Sequence, residues 1–241
     1  MDFLLISPPV SNFGQAAPAL SVLTSFLRSK GWHACQWDLG IEAFHHFYCE
    51  QTLRRSYQLL VAKDAEEVLL DLGQRVVSEI ERAKETLRRP GVGADTNTMR
   101  WALHTIRDAS VLLTAASGGG WELQDSKFDV PGALRSFSDL EQAYADPERN
   151  PFLSFFEEHA AARLLRDRPR AVGISITYLS QLIPALSLVT VLKRVLPGTP
   201  VILGGAYLTA TENEMSRIPC STLLADAVVL HDGEHALDLW L

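Results

Sequence analysis

Two short groups of small and hydroxyl residues could bring the backbone against a ligand. Ser175 and Thr177 lie at the end of one apolar segment, and Gly204-Gly205 follow the next one, after residues 178–203. Hydroxyl side chains can donate hydrogen bonds to phosphate and ribose oxygens, and glycine lets the backbone approach a flat group closely. This spacing favours a ligand contact at Gly204-Gly205, although a glycine pair is also typical of a tight turn with close helix–sheet packing.

The common phosphate-binding signatures are missing. The segment after the first apolar run, Ser7–Gly14 (SPPVSNFG), has no G-x-G-x-x-G, and the chain contains no G-x-x-x-x-G-K-[ST]. Dinucleotide binding and simple NTP hydrolysis are therefore not indicated. A phosphoacceptor receiver domain would need acidic residues where Ser7 and Ser175 stand. Ser175 also lies in G-x-S-x-T, which differs from the G-x-S-x-G of a hydrolase nucleophile elbow.

One cluster near the carboxyl end of the chain has metal-ligand residue types. It contains His231, Asp232, Glu234 and His235, but Gly233 places a turn between the two histidines. We interpret it as a loop that leads into a helix, with Glu234 in a favourable first-turn position.

Five apolar segments predict buried strands, at Phe3–Ser7, His33–Asp38, Arg170–Ile176, Val201–Leu203 and Ala227–Leu230. Helical periodicity connects them over 18–30 and 180–196, and a last helix follows Gly233. We therefore predict an α/β fold, a doubly wound five-stranded parallel sheet in the flavodoxin-like order 2-1-3-4-5. Ligands of such sheets bind beyond the carboxyl ends of the strands.

Residues 41–165 interrupt this alternation and predict a large, mostly helical insertion between strands 2 and 3. An amphipathic helix is predicted over 64–89 and another over 99–116, with an irregular stretch near 117–132. Asn150-Pro151 is a typical helix start, because Asn caps and Pro suits the first helical position. The chain, 1–241, is expected to be a single α/β domain that carries this insertion.

Composition excludes several classes of partner. A net charge of -7 and a pI near 5.5 argue against nucleic-acid binding. No apolar run approaches the ~18 residues of a membrane-spanning helix. The three cysteines are far apart and form no C-x-x-C pair, so we expect no disulfide framework and a reducing, cytoplasmic location.

Four motifs of the α/β frame resemble a known family. They are S-P-P after the first strand, V-G-I-S in the third, the glycine pair after the fourth, and D-x-x-V-x-x-x-G-E before the last helix. Together they are similar to the N-terminal Rossmann-like cobalamin-binding domain of cobalamin-dependent radical S-adenosylmethionine enzymes, many of which are C-methyltransferases. The segment Phe152–Leu208 is similar to the subgroup that matures ribosomally made peptides. The resemblance covers roughly 1–45 and 150–241.

The resemblance implies a binding role for this chain. Cobalamin would be held base-off, with its nucleotide tail buried beside the glycine pair and its upper face toward a radical domain that acts on a peptide or natural product. The implied cofactor-binding residues lie at the carboxyl ends of the strands: Ser7, Pro8, Pro9, Ser175, Thr177, Tyr178, Gln181, Gly204, Gly205, Ala206, Tyr207, Gly233 and Glu234. No catalytic residue and no protein ligand to a metal is expected.

Three departures from the family pattern qualify these implications. Residues 7–14 contain no histidine, so the D-x-H-x-x-G lower ligand to cobalt is absent. The usual G-E-G-E is replaced by His231-Asp232-Gly233-Glu234. The C-x-x-x-C-x-x-C that holds a [4Fe–4S] cluster is also missing, so the cluster and S-adenosylmethionine are expected in a downstream domain outside this chain, and the isolated chain is not expected to catalyse methyl transfer.

Two other functions stay open at this point. The chain could be a stand-alone cobalamin sensor or carrier, or an α/β domain that binds a nucleotide or nucleotide-sugar. Single residues have structural alternatives too: Pro8-Pro9 could only end a strand, Tyr178 and Tyr207 could cover the end of the sheet, and Gln181 could be an ordinary first-turn polar residue.

Overall fold

A computed structural model describes residues 1–10, 18–91, 93, 95–124 and 127–240. Its contacts divide the chain into two compact units, one formed by Met1–Glu42 with Gly132–Leu241 and the other by Ala43–Pro131. Within the described ranges, no helix combines the length and hydropathy needed to cross a membrane.

The first unit contains a five-stranded parallel sheet. Its strands are β1 (Phe3–Ser7), β2 (Ala34–Asp38), β5 (Ala171–Ser175), β6 (Val201–Gly204) and β7 (Ala227–Val228). The spatial order is β2-β1-β5-β6-β7, which is 2-1-3-4-5 when the strands of this sheet are counted along the chain. The predicted fold class and strand order are confirmed. The fifth strand is shorter than predicted, with only two residues.

Helices cover both faces of the sheet. They are α1 (Pro18–Ser29), α6 (Phe137–Ala145), α7 (Pro151–Phe155), α8 (Ala161–Asp167), α9 (Leu182–Val195), α10 (Ala206–Ala210), α11 (Glu212–Met215), α12 (Cys220–Leu223) and α13 (Gly233–Trp240). A π-helical turn at Phe156–Ala160 joins α7 to α8, and a 3₁₀ turn at Leu179–Gln181 precedes α9. From the middle of the sheet, the chain crosses from β1 to β2 in one direction and from β5 to β6 in the other. Because such crossovers are right-handed, their helices α1 and α9 lie on opposite faces of the sheet.

Alternation along the strands separates two apolar layers. On the α1 face, Phe3, Leu5, Ala171 and Ile202 form a core cluster with Leu20 and Leu27 of α1 and Leu237 of α13. The alternate strand residues, among them Leu4, Ile6, Val172, Ile174 and Leu203, are buried on the opposite face. Because both faces are covered, the inner strands β1, β5 and β6 are almost continuous apolar runs, and such runs located them in the sequence.

The second unit consists mainly of helices. It contains most of α2 (Leu39–Phe47), then α3 (Glu50–Ala62), α4 (Glu67–Arg88), α5 (Thr96–Ala116) and an antiparallel hairpin of β3 (Glu122–Gln124) and β4 (Lys127–Asp129). Helices α3, α4 and α5 pack against one another. A Cβ at Gly73 of α4 would lie 2.7 Å from the Tyr57 ring and 3.1 Å from Leu112, so the glycine permits this close three-helix contact.

The boundaries of the insertion differ from the sequence expectation of 41–165. Residues 132–165 group with the sheet unit, since α6, α7 and α8 pack against α9. The predicted helix over 64–89 begins at Glu67, and the stretch near 117–132, predicted as irregular, contains the β3–β4 hairpin.

Candidate functional site

The carboxyl ends of β5 and β6 lie side by side. Ser175 pairs with Gly204 in the parallel register. Just beyond it, the Ile176 N–H donates to the Gly204 carbonyl at 2.7 Å, and the Tyr207 N–H donates to the Ile176 carbonyl at 3.2 Å. The serine and the glycine pair, which are distant in the chain, are therefore joined by main-chain hydrogen bonds.

Gly205 has a structural reason to be glycine. Its φ is +112°, and a Cβ built there would lie 2.4 Å from the carbonyl oxygen of Ile176. At Gly204 a Cβ would lie 3.2 Å from the Val229 carbonyl oxygen. The space that a side chain would need is occupied by the protein's own backbone. Close packing therefore accounts for Gly205 without a ligand.

A cavity of about 720 Å³ opens on the α1 face of the sheet, beside this junction. Strand residues Leu5, Gly173, Ser175, Ile202 and Gly204 line its floor. Its walls come from the first turns of α1, from α10 and from α13. Three of the floor positions carry no side chain or a short one, which leaves a trough between the sheet and the helices.

Six of the predicted site residues line this cavity. They are Ser175, Gly204, Gly205, Ala206, Gly233 and Glu234. Sequence reasoning missed the contribution of α1, which supplies Pro18, Ala19, Val22 and Leu23, and that of Thr209 and Gly173. Nothing in the local pattern of α1 distinguishes a cavity wall from a core-facing helix, because both need small and apolar residues.

The other predicted site residues lie outside the described lining of the cavity. Ser7 is 2% exposed, and Pro8 and Pro9 are buried at the end of β1. The remainder of the predicted segment Ser7–Gly14, from residue 11 onward, lies outside the described residues. Thr177, Tyr178 and Gln181 lie between β5 and α9, and Tyr207 lies in α10, just after β6.

Gln181 connects two of these loops. Its side chain is fully buried, and its Oε1 accepts from the N–H of Thr177 at 2.8 Å and of Tyr178 at 3.3 Å. Its Nε2 donates to the Pro8 carbonyl at 2.9 Å. The amide thus joins the loop after β1 to the loop after β5, and this accounts for its burial beside Pro8-Pro9.

The two tyrosines differ in environment. Tyr178 is 47% exposed at the start of the 3₁₀ turn. Tyr207 is half-buried in α10, and burial, with a contribution from the Glu214 carboxylate, raises the pKa of its hydroxyl. Tyr207 is therefore partly shielded from solvent, whereas Tyr178 presents its ring to solvent at the carboxyl edge of the sheet.

Charge at the mouth of the cavity is mainly acidic. The ionisable side chains in its described lining are His231, Asp232 and Glu234, and that lining contains neither lysine nor arginine. His231 has φ +61°, its N–H donates to Thr209 Oγ1 at 2.9 Å, and its Nε2 lies 3.6 Å from Glu212 Oε2. As predicted, Gly233 begins a helix and Glu234 lies in its first turn.

One protein-family comparison gives a match. Residues 107–240 match the B12 binding domain family, a span that contains the strands β5, β6 and β7 and the loops after them. No curated protein and no solved structure matches the chain. The matched span is more than half of the chain and includes every loop that forms the β5–β6 junction. The chain belongs to the B12-binding domain family.

Proposed function

We propose that this domain binds cobalamin with the nucleotide tail of the cofactor in the cavity between the sheet and helices α1 and α13. Family membership supports cobalamin as the ligand. The observation that carries the pose is the cavity floor, where Gly173, Ser175 and Gly204 leave a trough at the carboxyl half of the central strands. Ligand sites of doubly wound sheets lie at this end.

The residues around the trough fit such a tail. Leu5, Val22, Leu23, Ile202 and Leu237 give it apolar walls, which suit a planar aromatic base. The Ser175 and Thr209 hydroxyls and the main chain of the glycine pair add polar groups to this lining. A cavity of about 720 Å³ is also within the range of ~300–1,000 Å³ that is typical of small-molecule sites.

The acidic side chains in the cavity lining favour a ligand that carries few phosphates. Sites for nucleoside di- and triphosphates commonly contain cationic side chains that pair with the phosphates. Here the described lining contains neither lysine nor arginine and carries the carboxylates of Asp232 and Glu234. The tail of cobalamin, with a single phosphodiester, is more compatible with this mouth than a nucleotide-sugar is.

The state of the cofactor and the contacts of its ring follow the family resemblance found in the sequence. We propose that cobalamin is bound base-off and without a histidine lower ligand from the loop after β1, since residues 7–14 contain no histidine. Tyr178 would lie against the corrin, because its exposed ring stands at the carboxyl edge of the sheet. Pro8-Pro9 and Gln181 would hold the loops that surround the ring.

We further propose that the domain serves a radical S-adenosylmethionine enzyme that methylates or otherwise tailors a peptide or natural product. The S-P-P, V-G-I-S and D-x-x-V-x-x-x-G-E motifs support this proposal. Bound cobalamin supplies a cobalt centre that can carry a methyl group. This chain's residues bind and orient the cofactor. The reading frame that encodes this domain, or that of a partner protein, should also encode a C-x-x-x-C-x-x-C motif. The absence of this motif from both would contradict the partnership.

Retention of hydroxocobalamin tests the binding proposal. The purified chain, incubated with hydroxocobalamin and desalted, should keep corrin absorbance in the visible range at close to one equivalent. Ala19→Trp places a large ring at the mouth from an exposed position of α1, and should reduce the affinity by at least about tenfold. Ala62→Trp, at an exposed position of α3, is the matched control. A folded chain that retains no corrin, or an Ala19→Trp variant that binds normally, would contradict the proposed pose.

The axial state of cobalt is read from the electron paramagnetic resonance spectrum of the reduced Co(II) form. A nitrogen ligand on the lower face splits each cobalt line into three, and the base-off state without histidine predicts no such splitting. A nitrogen triplet in the bound cofactor would overturn this part of the proposal and leave the binding itself intact.

A further inference from the structure

His231 stands at the mouth of the cavity in a constrained conformation. It follows β7 and precedes α13, and its φ of +61° is uncommon for a residue other than glycine. The Thr209 hydroxyl holds its N–H at 2.9 Å. Non-glycine residues in the left-handed region persist where surrounding contacts enforce them, and such positions are frequent at ligand sites.

The imidazole of His231 is available to a ligand. Its side chain is 68% exposed, and its nearest charged neighbour is the Glu212 carboxylate of α11, 3.6 Å from Nε2. The ring can therefore donate a hydrogen bond to a group that enters the cavity.

The charges around His231 define the group that it suits. Asp232 and Glu234 line the same mouth, and the described lining contains neither lysine nor arginine. A phosphate that enters between these carboxylates is repelled unless a donor faces it. Among the ionisable side chains of the described lining, His231 is the one that can donate to a phosphate oxygen.

We propose that His231 binds the phosphodiester of the cobalamin tail by a hydrogen bond from its ring. This inference rests on the proposed function and assigns a role to one residue at that site. It also gives a physical reason for a histidine at the first position of the H-D-G-E sequence, where the similar family has glycine. An exposed, charge-assisted hydrogen bond of ~1 kcal/mol corresponds to about a fivefold change in affinity.

Two corrinoids that differ only by the phosphate isolate this contact. We expect the wild-type chain to bind cobinamide phosphate about fivefold more tightly than cobinamide, with the dissociation constants measured by equilibrium titration of the visible spectrum. His231→Gly should remove this preference. Glycine adopts the left-handed backbone freely, so the variant should fold as well as the wild type, which its thermal unfolding would verify.

His235→Ala is the matched control. His235 is one helical turn away in α13, where its ring packs edge-on against Phe26 at 5.7 Å, and it lies outside the described lining of the cavity. This variant should keep the preference for the phosphate. The inference is overturned if His231→Gly retains the preference or if the wild type has none. A wild-type chain that binds neither these corrinoids nor hydroxocobalamin would instead refute the proposed function.

Discussion

At the scale of single residues, the glycine pair after β6 joins two strands through the main chain. Gly204 accepts from the Ile176 N–H, and the Ile176 carbonyl accepts from Tyr207, so the turn at Gly205 passes directly over Ile176. This arrangement requires the positive φ and leaves no room for a Cβ. The ligand contact predicted at Gly205 therefore involves its main chain at most. A bulky substitution there disturbs the fold before it can report on binding.

Gly205→Ala should destabilise the sheet unit by about 2–4 kcal/mol, because the methyl group would overlap the Ile176 carbonyl and the backbone would be strained. Gly198→Ala is the control, since a Cβ at Gly198 meets nothing within 4 Å. The shift in the urea midpoint, followed by circular dichroism, measures both. Equal midpoints for the two variants would contradict the close approach at Gly205.

Gln181→Leu tests the buried amide. The change leaves the Pro8 carbonyl and the Thr177 N–H without their partner, and unsatisfied buried groups of this kind cost about 2–4 kcal/mol together. Gln142→Leu, at an exposed position of α6, should have little effect. Chemical denaturation compares the two, and a Gln181→Leu variant as stable as the control would show that the amide does not hold the loops.

At the scale of elements, a buried cap connects two of the helices in the sheet unit. Asn150 is fully buried, and its Oδ1 accepts from the Phe152 N–H at 3.0 Å at the start of α7. Its Nδ2 donates to Ser187 Oγ of α9 at 2.6 Å. One side chain thus caps α7 and attaches it to α9, which extends the capping role predicted from Asn150-Pro151.

Asn150→Ala should therefore cost more than the loss of an ordinary cap. We expect about 2–3 kcal/mol, because a buried hydrogen bond to Ser187 is lost together with the cap. Ser136→Ala removes the exposed cap of α6, where the hydroxyl accepts from Asp139 N–H at 3.1 Å, and should cost about 0.5–1 kcal/mol. Equal losses of unfolding free energy would argue against the link to α9.

Elements differ in how far the sequence could predict them. The strands β1, β5 and β6 are continuous apolar runs, so their existence and nearly all of their bounds followed from composition. The hairpin strands β3 and β4 have three residues each and a single buried position, a pattern that polar loops also show. The π-helical turn at Phe156–Ala160 was also missed, because the apolar spacing there matches an ordinary helix.

The candidate site was predictable to a similar extent. Strand ends can be located from runs of apolar residues, and this placed Ser175, Gly204 and Glu234 correctly at one edge of the sheet. The walls from α1 depend on how helices distant in the chain pack over the sheet, which local patterns do not encode. The burial of Gln181 follows from its bond to Pro8, a residue 173 positions away in the chain.

At the scale of the whole molecule, carboxylates attach the edges of the sheet to their surroundings. Asp226 accepts from the Val201 N–H at 2.7 Å and pairs with Lys193 at 2.6 Å, which links the strand β6 to α9. Burial raises the pKa of Asp226, but the hydrogen bonds from Lys193 and Val201 outweigh burial and hold it below the ordinary 3.8. The pKa of Asp167 is lowered too, chiefly by its hydrogen bond from Arg166.

These lowered pKa values predict a loss of stability in acid. A carboxyl group whose pKa is lower in the folded state stabilises the fold above its unfolded pKa, and this contribution disappears as the pH falls through the folded value. The wild-type chain should therefore be more stable than Asp226→Asn near neutral pH, and the difference should shrink below about pH 4. Urea midpoints across this range measure it, and a gap independent of pH would contradict the role of the Asp226 charge.

The Gln181 bridge has a further consequence for the kinetics of ligand capture. Pro8, at the end of β1, and Thr177, after β5, are already joined through the side-chain amide, so a ligand bound in the proposed pose would meet these two residues in a fixed relative arrangement. At these residues little chain entropy then remains to be lost on association, so we expect no slow ordering of them before binding. The observed association rate should rise linearly with ligand concentration and show no plateau. Differences in affinity among related ligands should appear mainly in their dissociation rates.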